Sequence, residues 1–215
     1  MKLYYYPLST YSQKVLIALN EKHLSVEKEI IDLMSAEARA AYAKVSPIGK
    51  VPFLRASDDW DVPESTSIIE YLEDEYPDSP RLIRYGDRRA ARQVRFMDRM
   101  ADLYYNDPVV ELLFQQLGFR SEDADKADRA RGYIAMTYGH LNRRLADRAW
   151  LAGDAFTMAD CSLIPAMYYA RTVAPFDDHA NVAAYWERAQ SRPSYAKVKA
   201  EFEPIWQGLA DGRAA

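Results

Sequence analysis

The first eighty residues switch repeatedly between strand-like and helix-like patterns of apolar positions. Leu3 to Tyr6 is a short aromatic run with strand character, and Pro7 stops it. From Val15 onward the apolar residues recur at helical spacing. Asp58 and Asp59 are predicted to form a hairpin turn. The whole segment predicts the order β-α-β-α-β-β-α. After the first strand and the first helix, strands are predicted at 26–32, at the end of 46–55 and at 60–62, and helices at 35–44 and 63–76.

The pattern changes after residue 76. Two prolines interrupt the stretch 77–86, and we interpret it as a linker. Beyond it every periodic segment is helical, and Pro108 is expected to kink or end the first long helix. The predicted helices begin near 87 and continue at about 122–148, 158–171, 181–191 and 194–202. The sequence therefore predicts an α/β domain at 1–76 and an all-helical domain at 87–215.

Composition excludes several classes of protein. The net charge of −4 is spread over interleaved acids and bases, which argues against nucleic-acid binding. Cys161 is the only cysteine, so no internal disulfide is possible and a reducing compartment is natural. The three histidines lack metal-ligand spacing. Because no signal peptide or membrane-spanning apolar run is present, we expect a soluble cytoplasmic protein without a metal or a membrane partner.

The turn at 8–12, between the first strand and the first helix, is rich in hydroxyl groups. Thr10 and Gln13 have the spacing of a capping box. A helix N-terminus attracts anions, and a hydroxyl there can donate a hydrogen bond to one. If the anion is a thiolate, the pKa of its thiol falls. The alternative is that Ser9, Thr10 and Ser12 act only as caps and turn formers.

Val51 and Pro52 form a second candidate site. A proline inside a strand removes a ladder donor, so it belongs at an edge, a bulge or a sharp turn. If the bond is cis, the backbone of Val51 is exposed to a peptide-like substrate, which it can bind as an added strand would. The alternative is a trans proline on an edge strand.

Glu64 and Ser65 form a third candidate site at a predicted helix start. The hydroxyl of Ser65 and the first N–H groups can receive a carboxylate, while Glu64 can pair with an ammonium. Together they suit the head group of an amino acid. The alternative is that Ser65 or Ser67 is a simple N-cap, with Ser67 and Glu70 forming a capping box.

These three sites, followed by an all-helical half, resemble the cytosolic glutathione transferase family along nearly the whole chain. The resemblance is to bacterial, serine-type members similar to the theta, phi and zeta classes. It implies a thioredoxin-like glutathione-binding domain followed by an all-α helical bundle. The motifs that carry the resemblance are Pro7-Leu8-Ser9-Thr10-Tyr11-Ser12-Gln13-Lys14-Val15, Ser46-Pro47-Ile48-Gly49-Lys50-Val51-Pro52, Pro63-Glu64-Ser65-Thr66 through Tyr71-Leu72, and Phe156-Thr157-Met158-Ala159-Asp160.

The resemblance implies that Ser9 activates the glutathione sulfur, with a basic residue, Lys14, five positions later. It also implies which residues bind the rest of glutathione as a co-substrate: Lys50, Val51, Pro52, Glu64 and Ser65. Val51 would contact the cysteinyl part through its backbone, and Glu64 with Ser65 the γ-glutamyl part. Neither Arg39 nor Lys44 falls clearly in register for the glycyl carboxylate. Thr157 and Asp160 match a structural capping box of the family.

The pocket for the second substrate is expected, by resemblance, between the two domains. Tyr11, Tyr104, Tyr105 and Tyr168 are its candidate lining residues. The alternative is that these tyrosines belong to the core, with satisfied hydroxyl groups. Cys161, in the same helix as Tyr168, is interpreted as a small buried hydrophobe.

The resemblance implies a glutathione S-transferase that adds the glutathione thiolate to an electrophilic, largely apolar small molecule, as in detoxification. A glutathione-dependent isomerase, an ether-cleaving lyase and a non-enzymatic binding module of the stringent starvation protein A type are the alternatives. We also expect a homodimer. We hypothesise that an arginine stripe on the first long helix of one subunit contacts an acidic helix of the other subunit. The stripe comprises Arg88, Arg92, Arg95 and Arg99, and the acidic helix carries Glu70, Glu73, Asp74 and Glu75.

Overall fold

Four short strands form a mixed sheet near the N-terminus of the computed structural model, which describes residues 1–56, 60–210 and 212. Their order across the sheet is β2-β1-β3-β4, and only the β1–β2 pair is parallel. The predicted hairpin residues Asp58 and Asp59 lie outside the described residues. The strands are β1 (Lys2–Tyr5), β2 (Glu27–Ile30), β3 (Phe53–Arg55) and β4 (Asp61–Pro63).

Three helices alternate with these strands and confirm the predicted βαβαββα order. They are α1 (Thr10–Glu21), α2 (Ala36–Tyr42) and α3 (Ser65–Glu75). Every residue of α1 from Ser12 to Leu19 is buried, because α1 packs against α3 and against the C-terminal helix α9 (Pro193–Ala210). Helix α9 is thus longer than the predicted 194–202.

The chain divides into two compact units. The first comprises residues 1–81 and the C-terminal segment from Pro193, and the second comprises residues 82–192. The domain ranges 1–76 and 87–215 stay a prediction. They place α9 in the second domain, whereas α9 packs against α1 of the first unit. The second unit is helical, as predicted, with α4 (Arg88–Ala101), α5 (Asp107–Gln116), α6 (Ala124–Arg144), α7 (Met158–Val173) and α8 (Ala180–Gln190).

Pro108 is accommodated by a π-helical turn, Asp102–Asn106, which joins α4 to α5. The N–H of Asp107 donates to the carbonyl of Asp102, five residues earlier. Proline cannot donate to the carbonyl four residues before it. That carbonyl, of Tyr104, instead accepts the hydroxyl of Thr137 on α6 at 3.0 Å.

The predicted capping box of Thr10 and Gln13 is wrong, and so is the alternative box of Ser67 and Glu70. Helix α1 is capped by Ser9, whose Oγ accepts the N–H of Ser12 at 3.2 Å, so Thr10 is already the first helical residue. Helix α3 begins at Ser65, so Ser67 lies inside its first turn and does not cap it. Both errors have the same cause: neighbouring hydroxyl residues are equivalent in composition, and only the backbone path decides which one precedes the helix.

The capping box of α7 is confirmed, and it closes a buried polar network. The carboxylate of Asp160 accepts the N–H of Thr157 at 2.8 Å and that of Leu151 at 2.9 Å. The hydroxyl of Tyr185 donates to the same carboxylate at 3.0 Å. Cys161 is fully buried beside this network, as expected for a small hydrophobe.

Two acidic side chains of the helices α3 and α4 are buried. Glu73 accepts the ammonium of Lys22 at 2.7 Å, and neither side chain is exposed. Glu73 is therefore unavailable to a second subunit, which corrects that part of the dimer hypothesis. Asp98 is also buried and accepts the hydroxyl of Ser162. In the described part of the chain, no helix is long and apolar enough to cross a membrane.

Candidate active site

Three segments of the first unit meet at one edge of the sheet. Tyr4 on β1 pairs with Phe53 on β3, and Phe53 pairs with Pro63 on β4. Because β3 runs antiparallel to both neighbours, β1 and β4 end at the edge where β3 begins. The segments that continue from these points contain the three candidate sites: Ser9, Val51 with Pro52, and Glu64 with Ser65.

Ser9 stands at the N-cap of α1 with its hydroxyl group partly used. Its backbone N–H donates to the carbonyl of Tyr6 at 3.0 Å, and its Oγ accepts from Ser12. A serine hydroxyl has one hydrogen to donate in addition to its acceptor lone pairs. The cap therefore leaves that hydrogen for an anion at the helix N-terminus.

The neighbouring hydroxyl groups are placed differently. Ser12 is fully buried, and its Oγ accepts the N–H of Tyr6 at 3.3 Å, which ties the first turn of α1 back to the end of β1. Thr10 is also buried, whereas Tyr11 is half-buried. Gln13 strengthens the turn by donating from Nε2 to the carbonyl of Pro7 at 2.8 Å. These contacts fix the backbone on both sides of Ser9.

The Val51–Pro52 bond is cis, which is the first of the two possibilities that the sequence left open for this proline. Val51 packs in an apolar cluster with Tyr4, Tyr42 and Phe53. The hydroxyl of Tyr42 donates to the carbonyl of Lys50 at 2.8 Å, and burial raises the pKa of Tyr42 to about 12, so this donor stays protonated. The side chain of Lys50 is exposed. Sequence reasoning missed the contribution of Tyr42, because the contact joins α2 to a loop.

Glu64 and Ser65 lie at the start of α3 in an unusual backbone arrangement. Glu64 is the N-cap with φ +68° and ψ 126°, a region that residues with a side chain rarely adopt. Its carboxylate makes no capping hydrogen bond and is exposed. The first helical hydrogen bond runs from Ile68 N–H to the Glu64 carbonyl. The helix itself therefore supplies no acceptor for the N–H groups of residues 65–67.

Lys14 connects the helix of Ser9 to the helix of Ser65. Its side chain is buried, and Nζ donates to Oγ1 of Thr66 at 2.8 Å. This hydrogen bond joins the second turn of α1 to the first turn of α3, close to the two helix N-termini of the candidate site. The role of Thr66 was missed in the sequence, since nothing in the spacing of two residues 52 positions apart indicates that they meet.

The remaining candidates are distributed over both units. In the first unit, the guanidinium of Arg39 donates to the carbonyls of Leu33 and Met34, at 2.6 and 3.1 Å. Lys44 is exposed. In the part of the chain that the structure describes, no group of three or more His, Cys, Asp or Glu side chains is placed to hold a metal ion.

The three candidate tyrosines of the second unit have different surroundings. Tyr105 is fully buried, and its hydroxyl lies 3.1 Å from that of Tyr138. Tyr104 is 41% exposed, and its ring contacts that of Tyr133 in a tilted arrangement, with ring centroids 5.4 Å apart. Tyr168 is half-buried, and its ring contacts that of Tyr169. Their role as pocket residues, like that of Tyr11, stays a prediction.

Comparison with protein families gives two matches. The glutathione S-transferase N-terminal domain matches residues 3–80, and the glutathione S-transferase C-terminal domain matches residues 124–188. The chain belongs to the glutathione S-transferase family. The first match contains all three converging segments of the candidate site, and the second contains the capping box of α7.

Members of this family that are similar to the chain span almost its full length. Glutathione S-transferase F13 of Arabidopsis thaliana is 28% identical over 207 residues, which cover 92% of this chain and 94% of the relative. Glutathione S-transferase 3 of Zea mays is also 28% identical, over 208 residues and 93% of each chain. The crystal structure of glutathione transferase F7 from Populus trichocarpa superposes with a TM-score of 0.81 at 28% identity, covering 93% of this chain and 97% of that one.

Proposed function

We propose that this glutathione S-transferase family member is a working transferase that binds glutathione and adds its thiolate to an electrophilic, largely apolar small molecule. The observation that carries the proposal is the convergence of Ser9, Val51 and Glu64–Ser65 at one sheet edge. A protein with only a scaffold role has no need of a hydroxyl, an accessible strand end and a carboxylate at one edge. The names of the relatives favour transfer over the isomerase, lyase and binding-module alternatives.

Ser9 is the proposed catalytic residue. Its hydroxyl hydrogen donates to the glutathione sulfur, while its oxygen stays engaged with the Ser12 N–H. The positive end of α1 adds to this interaction, so the thiolate is favoured over the thiol and the pKa of bound glutathione falls. The thiolate then attacks the electrophilic carbon and forms a C–S bond. The electron pair of the bond that breaks goes to the leaving group, or to a neighbouring atom of the substrate that then takes up a proton. Proximity and thiolate stabilisation supply the acceleration, and no covalent enzyme intermediate is needed.

The other site residues hold the peptide. The N–H groups at the start of α3 and the Ser65 hydroxyl receive the γ-glutamyl carboxylate, and the carboxylate of Glu64 pairs with the ammonium. The backbone of Val51 pairs with the cysteinyl residue as an antiparallel strand would. Lys14 is a positioning residue, because its hydrogen bond to Thr66 ties the two helix N-termini together. Lys50 is proposed to lie near the glycyl or γ-glutamyl end.

The test is calorimetric titration with glutathione, read beside the ultraviolet absorbance of the bound thiolate. We expect binding together with a thiolate band near neutral pH. S-methylglutathione is the matched control, since it keeps the peptide but has no ionisable sulfur, and it should bind without the band. Glutathione binding without the band would remove Ser9 as an activator, and no binding at millimolar peptide would overturn the proposed function.

We also propose that two copies form a homodimer through the second unit. The arginine stripe of α4 is largely exposed, and α4, its π-helical turn and α6 also carry exposed apolar side chains, which we call the aromatic patch. Rings from α4 and its π-helical turn contact rings from α6 across this patch: Phe96 with His140 at 6.5 Å and Tyr104 with Tyr133 at 5.4 Å. The patch comprises Phe96, Leu103, Tyr104, Tyr133 and Met136.

A cytoplasmic location is also proposed, since the lone Cys161 suits a reducing compartment.

A further inference from the structure

The loop that leads from α2 to Val51 is held at both of its ends by one residue, Tyr42. At the start of the loop, the carbonyl of Tyr42 accepts the N–H of Ser46 at 2.9 Å. At its end, the hydroxyl of Tyr42 donates to the carbonyl of Lys50 at 2.8 Å. Between these points the N–H of Gly49 donates to the carbonyl of Ser46 at 3.0 Å and closes a turn. Internal hydrogen bonds therefore fix the backbone that precedes Val51.

The ring of Tyr42 is anchored to the sheet. Tyr42 is only 2% exposed and lies in the apolar cluster that contains Tyr4, Val51 and Phe53. Its ring centroid lies 6.0 Å from that of Tyr4. Because Tyr4 belongs to β1 and Phe53 to β3, the cluster holds the ring against the two central strands. The hydroxyl group of Tyr42 is thus presented from a fixed position.

The hydrogen bond to Lys50 sets the direction of the N–H of Val51. The two groups belong to the same peptide unit, which is planar. This Lys50–Val51 bond is trans, so its C=O and its N–H point in opposite directions. Since the C=O is directed at the hydroxyl of Tyr42, the N–H of Val51 is directed away from it. Rotation of the peptide plane would break the hydrogen bond.

The backbone groups of Val51 are available to a ligand. Among the residues that the structure describes, neither the N–H nor the C=O of Val51 has a hydrogen-bond partner, although Val51 is only 9% exposed. Backbone groups in such surroundings are normally paired. In the proposed function the partner is the cysteinyl residue of glutathione, bound as an antiparallel strand would be. The N–H of Val51 then donates to the cysteinyl carbonyl.

We propose that Tyr42 is a positioning residue for glutathione, because its hydroxyl, acting through the carbonyl of Lys50, directs the N–H of Val51 at the cysteinyl carbonyl. This inference rests on the proposed function and deepens it. The C=O of Val51 belongs to the next peptide unit, which the hydrogen bond of Tyr42 does not orient. The effect of Tyr42 is therefore specific to one of the two backbone contacts with the cysteinyl residue.

The test uses two thiol ligands that differ in the acceptor for this N–H. γ-Glutamylcysteinamide keeps the cysteinyl carbonyl, whereas γ-glutamylcysteamine has the same γ-glutamyl group and thiol but a hydrogen in place of the carboxamide. Calorimetric titration of the full chain gives the ratio of their dissociation constants. We expect the parent chain to bind γ-glutamylcysteinamide roughly twofold to tenfold more tightly, which is the range for one hydrogen bond.

Tyr42→Phe removes the hydroxyl group and keeps the ring in the apolar cluster. The ratio should then fall close to one, with the loss confined to γ-glutamylcysteinamide. A merely structural defect would weaken both ligands by the same factor and leave the ratio unchanged. Tyr138→Phe is the matched control, because Tyr138 is also buried and donates to a main-chain carbonyl, that of Ala174, in the second unit. It should leave the ratio as it is in the parent chain.

A second measurement reads the geometry without a ligand. The residual dipolar coupling of the Val51 amide reports the direction of its N–H bond, and it should change in Tyr42→Phe but not in Tyr138→Phe. An unchanged coupling, or an unchanged ratio in a chain that binds both ligands, would overturn the role of Tyr42 and leave the proposed function standing. A parent chain that binds neither ligand would overturn the proposed function, and this role of Tyr42 with it.

Discussion

The hydroxyl of Ser9 has to cap a helix and, in the proposed mechanism, donate to a thiolate at the same time. The two roles are compatible because they use different parts of the group. The oxygen lone pair accepts the N–H of Ser12, and the hydroxyl hydrogen is not used by that contact. Ser12 has a comparable hydroxyl, but it is enclosed and accepts from Tyr6. This difference in burial favours Ser9 for the sulfur contact.

Replacing Ser9 with Ala should lower turnover roughly tenfold to a hundredfold, as expected for loss of a hydrogen bond to a charged group. The Michaelis constant for glutathione should change little, and the pKa of the bound thiol should rise. Steady-state kinetics and thiolate absorbance measure these effects. Ser35→Ala is the control, because Ser35 caps α2 with the same 3.2 Å geometry and its loss should affect only stability. Unchanged turnover in Ser9→Ala would move the role to Thr10, Ser12 or Tyr11.

Glu64 combines a strained backbone with an exposed carboxylate, and two substitutions separate these features. Glu64→Ala and Glu64→Gly should weaken glutathione binding equally, because both lose the partner of the ammonium. Glu64→Gly should be about 1 kcal/mol more stable than Glu64→Ala, since glycine adopts a φ of +68° without strain. Calorimetry and urea unfolding measure the two effects. Equal stability of the two variants would show that residue 64 carries no strain.

At the scale of elements, a buried ion pair joins the end of α1 to α3. Lys22 donates to Glu73 at 2.7 Å and to the carbonyl of Pro80 at 3.3 Å, and Arg81 donates to the carbonyl of Glu73 at 2.6 Å. Such a pair is costly to bury, and removing Lys22 leaves the carboxylate of Glu73 with only the guanidinium of Arg81, 3.7 Å away, as a counter-charge. The pair therefore fixes the position of α3 relative to α1, and with it the two helix N-termini of the candidate site.

Lys22→Met should lower the free energy of unfolding by about 3 kcal/mol, because the buried carboxylate of Glu73 then keeps only the guanidinium of Arg81, 3.7 Å away, as a counter-charge. The double variant Lys22→Met/Glu73→Leu should recover most of this loss. Urea unfolding at constant pH measures both. The control is Lys126→Met, which removes an exposed pair with Asp123 and should cost at most about 1 kcal/mol. Equal losses for the two lysines would contradict the role of burial.

The capping box of α7 should make stability depend on pH. Burial raises the pKa of Asp160 to about 6, although hydrogen bonds from Leu151, Thr157 and Tyr185 oppose the shift. The folded state then holds a proton that the unfolded state has released, so the free energy of unfolding falls as pH rises from about 4 to about 6. Relative to Asp160→Asn, which cannot titrate there, the parent chain should be more stable at pH 5 than at pH 7. The opposite slope would mean that the hydrogen bonds outweigh desolvation.

At the scale of the whole molecule, the aromatic patch is the surface on which the dimer proposal rests. Phe96→Asp should convert the dimer to a monomer at micromolar concentration, because a charge would be buried at the apolar contact. Size-exclusion chromatography with light scattering measures the mass. Phe119→Asp is the control: Phe119 is 44% exposed but lies outside the patch. A parent chain that is strictly monomeric would contradict the dimer itself.

Local physics explains what the sequence alone determined. The spacing of apolar residues and the positions of the prolines indicated the strands, the helices and the change to an all-helical half, because both act within a few residues. The capping box of Thr157 and Asp160 was predictable for the same reason, because both partners lie within one turn. The motifs Ser9, Val51–Pro52 and Glu64–Ser65 could be identified along the chain, together with the family they resemble.

Only the tertiary structure decided how these segments meet. The register Tyr4–Phe53–Pro63 places three distant segments at one edge, and register depends on which side chains pack together. The pairs Lys14–Thr66 and Lys22–Glu73 join residues about fifty positions apart, and composition marked their members only as polar. The contact between α1 and α9 likewise exists because the last helix returns to the first unit. Contacts between distant residues leave no local pattern in a single sequence, and so they were decided by the fold.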